Sequence, residues 1–181
     1  MRAVEQQDAA DEAWPEWSFA ADLGVRRTVE AVEEAERGFM AKIALTGLVA
    51  IHLAVTLWHG SAHTQLGILL PPEKNAFVYI VILIAPIVAA SLLWTRYLLA
   101  GVWAFFVSMV GALLFGAYHH YVLVSPDNVG HLPPGTAEAH SHFITSAAAI
   151  ALLELASALY GAFCLGSHLG TPAALRGPQK G

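Results

Sequence analysis

Four long apolar runs, separated by short polar stretches, dominate the chain from residue 39 onward. The first extends from about Phe39 to His59, with Lys42 near its start, and matches the ~20 residues a helix needs to cross hydrocarbon. The second, Ala76 to Trp94, is almost wholly Val, Ile, Leu and Ala. Pro86 in its middle predicts a bend, which membrane helices tolerate where neighbours satisfy the freed carbonyl. The third covers about Leu98 to Tyr118. Only Thr95, Arg96 and Tyr97 separate it from the second, so these two form an expected antiparallel hairpin. The fourth, about Phe143 to Leu165, carries Glu154 near its centre.

The pattern therefore predicts an all-α integral membrane protein, a four-transmembrane-helix bundle over residues 39–165 with spans at about 39–59, 76–94, 98–118 and 143–165. Residues 1–38 precede it as an acidic segment. Its first part lacks the basic start and apolar centre of a signal peptide, and Val25, Val29, Val32 and Ala35 then fall on one stripe of an amphipathic helix. Trp14, Trp17 and Phe19 suit a membrane surface, a partner subunit or the bundle itself. Residues 166–181 read as a flexible tail.

Composition supports the same class. Hydrophobic residues make up 56% and charged residues 13%, against roughly 25% charged in soluble domains. The formal charge of −5 comes from the head, since ten of the fourteen Asp and Glu residues precede position 37. Without clustered Lys and Arg, nucleic acid is not an expected partner. The expected surroundings are the lipid bilayer and either further copies of the chain or a larger membrane complex.

Basic residues set the expected orientation, because loops rich in them stay in the cytoplasm. Arg2, Arg26, Arg27, Arg37, Lys42, Arg96, Arg176 and Lys180 lie on one side of the predicted bundle, and only Lys74 lies on the other. Both termini are thus expected to be cytoplasmic in the cell (inner) membrane. The segments 59–75 and 119–142 then face outward. The second is rich in turn formers, among them Ser125-Pro126-Asp127-Asn128 and Pro133-Pro134-Gly135, and is expected to fold as an outward-facing cap loop.

Those outward segments contain His59, His63, His119, His120, His131, His140 and His142, seven of the nine histidines. His52, His59 and His63 are spaced by seven and four residues, which keeps them within about 20° of one line on a helix. His119 and His120 end the third span and His142 begins the fourth, so antiparallel packing brings them to the depth of His59. Neighbouring His119 and His120 point about 100° apart, so one of the two faces inward. Glu138 with His142, and Asp127 with His131, are each four residues apart and add carboxylates.

Imidazole suits copper, zinc and iron, whereas a dedicated Cu(I) site calls for sulfur ligands. Cys164 is the single cysteine, and none of the three methionines lies in an outward loop. A site for copper, zinc or non-haem iron formed by His59, His63, His119, His120 and His142 is the expected chemistry, in a metal-binding or redox subunit. Two other readings stand beside it. One is a haem- or chlorophyll-binding subunit with histidines on facing helices. The other is a non-catalytic accessory subunit in which the histidines are half-buried rim residues. No HExxH or ExxH pairing sharpens the choice.

His52 and Glu154 are ionisable groups inside predicted spans. A lone carboxylate there costs at least ~2.5 kcal/mol, so the two are expected within reach of each other, as support for the outer site, as a proton path, or as a hydrogen bond between helices. Ser108 is a further candidate partner for Glu154.

Overall fold

The computed structural model describes residues 16–167, with side chains described from Val25 onward, so the expectations for Trp14, Trp17, Phe19 and the tail beyond Ser167 lie outside what is described. The regular structure among the described residues is all helical: α1 (Glu16–Gln65), α2 (Pro72–Phe77), α3 (Ala85–Leu93), α4 (Leu98–Ala117) and α5 (Ala137–Gly166). A π-helical stretch, Val78–Ile84, joins α2 to α3, and a π turn, Tyr118–Val122, extends α4. Four helical segments are long and apolar enough to cross a membrane: Val25–Gln65, Pro72–Leu93, Leu98–Val122 and Ala137–Gly166. Their number and composition point to a multi-pass membrane protein.

The chain divides into two units, residues 1–38 and 39–181. In the first, Val25, Val29 and Val32 are exposed along one side of the helix. Arg37 and Glu33, one turn apart, approach to 3.7 Å, a surface pair that contributes little.

In the second unit, side chains from successive helices interlock. Leu45 and Val49 of α1 pack with Ala89 and Leu93 of α3 and with Phe105 and Met109 of α4. A second cluster joins Ala62 and Leu66 of α1 to Ala139, Phe143 and Ala147 of α5. In a bilayer, whose tails are as apolar as leucine, packing between such helices would rest on close fit and hydrogen bonds rather than on escape from water. Gly101 shows how close the fit is. A Cβ there would lie 2.9 Å from Leu93 N and 3.0 Å from Ala89 O, so the α3 and α4 backbones touch because this residue has no side chain. Trp94 adds a cross-link by donating from Nε1 to Thr46 Oγ1 at 3.1 Å.

Three local features set the end of the bundle that carries the histidines. First, α1 runs past Gly60 to Gln65, which keeps His63 helical. Gly67, at φ +64°, then ends the helix, with Gly67 N–H donating to Thr64 O and Ile68 N–H to His63 O. This is the pairing of a left-handed glycine cap. Second, the residues before Pro86 form wide π turns, with Ala85 N–H donating to Ile80 O five residues back. The proline ring would crowd the carbonyl four residues earlier in a tighter helix; the expected bend thus takes the form of a π stretch. Third, α4 widens into a π turn at Tyr118–Val122, closed by Leu123 N–H on Tyr118 O at 2.8 Å.

The loop that follows is pinned by Asn128, which is buried. Its Nδ2 donates to Leu123 O at 3.1 Å, and its Oδ1 accepts from Gly130 N–H at 2.9 Å. Val129 N–H donates to His120 O at 3.0 Å. The loop therefore folds back over the π turn. Thr136 caps the next helix by accepting from Ala139 N–H at 3.2 Å.

Candidate metal centre

Helical spacing brings His59 and His63 together. They are four residues apart on α1, and their Nε2 atoms lie 3.1 Å from each other. The π turn supplies His120, whose Nε2 lies 3.1 Å from His59 Nε2. Among the described residues, these three form the group able to hold a metal ion, with one nitrogen from each within 4.8 Å of the others. Phe143 packs beneath all three rings, at centroid distances of 5.0–5.5 Å.

The Nδ1 atoms of His59 and His120 are engaged, whereas His63 Nδ1 is buried without a partner among the described residues. The Ser146 hydroxyl donates to Phe143 O at 3.1 Å, so its oxygen accepts from His59 Nδ1 at 2.9 Å. His120 Nδ1 donates to the backbone carbonyl of Asp127 at 2.9 Å. A neutral imidazole carries one N–H, so both rings spend theirs outward. His59 Nε2 and His120 Nε2 then confront each other as two lone pairs at 3.1 Å. Such a contact is repulsive unless a cation lies against it. A metal about 2.0–2.1 Å from each nitrogen sets two tetrahedral ligands about 3.4 Å apart, close to the spacing present.

Asp127 supplies negative charge beside the imidazoles. Its Oδ1 lies 3.2 Å from His120 Nδ1 and 3.3 Å from His63 Nε2, without forming an aligned hydrogen bond to either. Burial pushes its carboxyl up, but the close approach of His120, with His63 and His59 beyond it, outweighs this and holds it below the usual carboxylate range. An anionic carboxylate beside a histidine N–H orients the ring and raises its basicity toward a metal.

The other expected site residues lie elsewhere. His119 donates from Nδ1 to Phe115 O at 2.8 Å and packs on the Phe115 ring. Of the neighbouring pair, His120 is the one that joins the cluster. His142 pairs through Nδ1 with Gln65 Oε1 at 3.1 Å and stacks on Trp58. Glu138 lies in the first turn of α5 and borders a surface depression with His142 and Trp58. His131 pairs with Asn128 Oδ1 at 3.2 Å, and His140 donates to Pro133 O at 2.9 Å. Both serve the loop.

His52 and Glu154 meet inside the bundle, with Nε2 and Oε1 3.2 Å apart and both residues buried. Ser108 instead donates to Phe105 O at 2.9 Å. His52 Nδ1 and Ser157 Oγ are buried without a partner among the described residues.

No family model, curated protein or solved structure matches this chain. The chemistry of the site is therefore read from its own geometry.

One contributor has no spacing signal, and the other has different partners from those its spacing suggests. Ser146 lies one turn after His142 and has no distinguishing pattern. Asp127 was expected beside His131, four residues on, because both sit in one loop; the backward fold of that loop gives it to His120 and His63 instead.

Proposed function

We propose that this chain is a metal-binding subunit of a membrane, holding one divalent first-row metal on His59, His63 and His120, with Asp127 beside them. The carrying observation is the 3.1 Å approach of His59 Nε2 to His120 Nε2, with the Nδ1 atoms of both rings turned to Ser146 and the Asp127 carbonyl. Three imidazoles, a carboxylate and no thiolate suit zinc, copper(II) or non-haem iron(II). Three protein nitrogens leave a further coordination position for water or substrate, which favours catalysis or electron transfer over a closed structural site. Haem is a poor fit between His59 and His120, because rings at 83° with nitrogens 3.1 Å apart leave no gap for a macrocycle. The distribution of Lys and Arg supports an orientation with the histidine end outside and both termini in the cytoplasm.

The deciding experiment is elemental analysis of protein purified gently from its native membrane. About one metal atom per chain is expected, lost in a His59→Ala, His120→Ala double variant that remains folded. Metal-free protein whose thermal stability does not rise on adding zinc, copper or iron would end this reading, and a proton shared between the two imidazoles would take its place. Bound metal raises stability by about 2.7 kcal/mol at a hundred times its Kd, which a melting curve resolves.

A further inference from the structure

A cavity of about 520 Å³ adjoins the three histidines. Its size lies within the roughly 300–1,000 Å³ of small-molecule sites. Its lining carries ionisable groups: His59, His63, His120, Asp127 and Glu154 all border it. Ile68, Leu70, Val78, Ile82, Leu83 and Phe115 border it elsewhere. Leu57, Leu69 and Tyr79 also border it and are themselves largely exposed, which makes them its rim. Gly60, Ser61 and Thr64 are exposed at the same rim, and the candidate metal centre borders the cavity.

Two further observations concern what it would hold. Thr56 Oγ1, on the cavity wall, is buried and lacks a hydrogen-bond partner among the described residues. An unpaired buried hydroxyl costs free energy until something bonds to it. Gly116 also borders the cavity, and even an added Cβ there would stay 3.7 Å from Glu154 Oε2 and 3.9 Å from the His120 ring. The glycine thus leaves open space between the carboxyl and the imidazole.

We infer that this cavity binds a neutral, lipid-soluble organic molecule with a hydroxyl or carbonyl head, the head among His120, Glu154 and Thr56 and the apolar body between α1 and the π-helical stretch. A neutral molecule fits a chain whose helices are apolar enough to cross a membrane, because carrying a charged one through hydrocarbon is costly. A head oxygen can satisfy Thr56 Oγ1, which otherwise lacks a partner among the described residues. The inference deepens the metal reading, but the cavity and its rim do not depend on a metal being present.

The test uses the full chain in lipid nanodiscs and a photoreactive long-chain alcohol carrying a diazirine on its alkyl tail, with labelled residues mapped by mass spectrometry. Labelling should concentrate on Leu69, Tyr79 and Ile82. It should fall about tenfold when decanol is present at about ten times its own Kd. Ile82→Trp, which fills the cavity, should remove the decanol-sensitive labelling while leaving metal content unchanged. Labelling that decanol does not reduce, or that is equally strong on the lipid-exposed Val107 and Leu114 of α4, would overturn the inference in the unaltered protein whatever the variant does. The two readings fail separately. Saturable labelling in a metal-free chain removes the metal and keeps the cavity, whereas bound metal with unsaturable labelling removes the cavity ligand alone.

Discussion

Asp127 holds His120 through two atoms: its backbone carbonyl accepts from Nδ1 at 2.9 Å, and its carboxylate Oδ1 lies 3.2 Å from the same nitrogen. The backbone contact orients the ring, and the side chain adds charge. These two roles can be separated, because Asp127→Asn keeps the first and removes the second.

Asp127→Asn should weaken zinc binding by roughly 10- to 100-fold, the usual cost of losing a supporting partner, with little change in melting temperature of the metal-free protein. Ser146→Ala should fall in the same range, since His59 Nδ1 then lacks its acceptor. Competition against a chromophoric chelator measures both. Unchanged affinity in the two variants would show that neither group supports the site.

Metal affinity should fall as pH drops, because protons compete for the ligand nitrogens. Asp127 should not contribute to that fall. Its folded pKa is depressed, so its stabilising effect is complete above the ordinary carboxylate value of about 3.9 and is lost only as pH falls below it. Zinc affinities of the native chain and Asp127→Asn, measured above the carboxylate range, should therefore give parallel curves. Curves that converge before the carboxylate range would contradict the assignment.

Gly101→Ala should destabilise the bundle by about 1–3 kcal/mol, the range for overpacking a close contact. The new methyl group would meet backbone atoms of α3 that no rotamer change can move aside. Thermal unfolding in detergent tests this, and Gly47→Ala, with open space around its Cβ position, is the control. Equal stability of the two variants would mean that α3 and α4 are not in backbone contact.

The His52–Glu154 pair should show a coupling of about 0.6–1.7 kcal/mol in a double-mutant cycle with His52→Ala and Glu154→Gln, the range measured for hydrogen bonds between membrane helices. A cycle that closes to zero would mean that the two residues do not act on each other.

Much of this architecture was legible because bilayer thickness imposes a length on each apolar run. The presence of four helices long and apolar enough to cross a membrane followed from that single constraint, and the hairpin at Thr95–Tyr97 from the shortness of its turn. The meeting of His52 with Glu154 followed from rise per residue along antiparallel helices. What periodicity could not supply was any departure from regular helix. Pro86 marks a bend but not its π form, and the π turn at Tyr118–Val122 alters register without a signature in residue type. Asp127 escaped for a related reason: its partners are chosen by how the loop folds on Asn128, a three-dimensional matter that spacing along the chain does not encode. His142 illustrates the converse. It begins the fourth span at a fitting depth, yet faces Gln65 and Trp58 around the side of α5.

The wide turn at the end of α4 makes the centre sensitive to chain length as well as to chemistry. Five residues there occupy a turn that an ordinary helix would close with one fewer. Deleting Tyr121 would leave every histidine and Asp127 in place as letters, yet would turn the start of the loop by about 100° and carry the Asp127 carbonyl away from the ring it steadies. In any comparison among natural variants of this chain, a one-residue gap between Tyr118 and Leu123 should therefore be read as seriously as the replacement of a ligand.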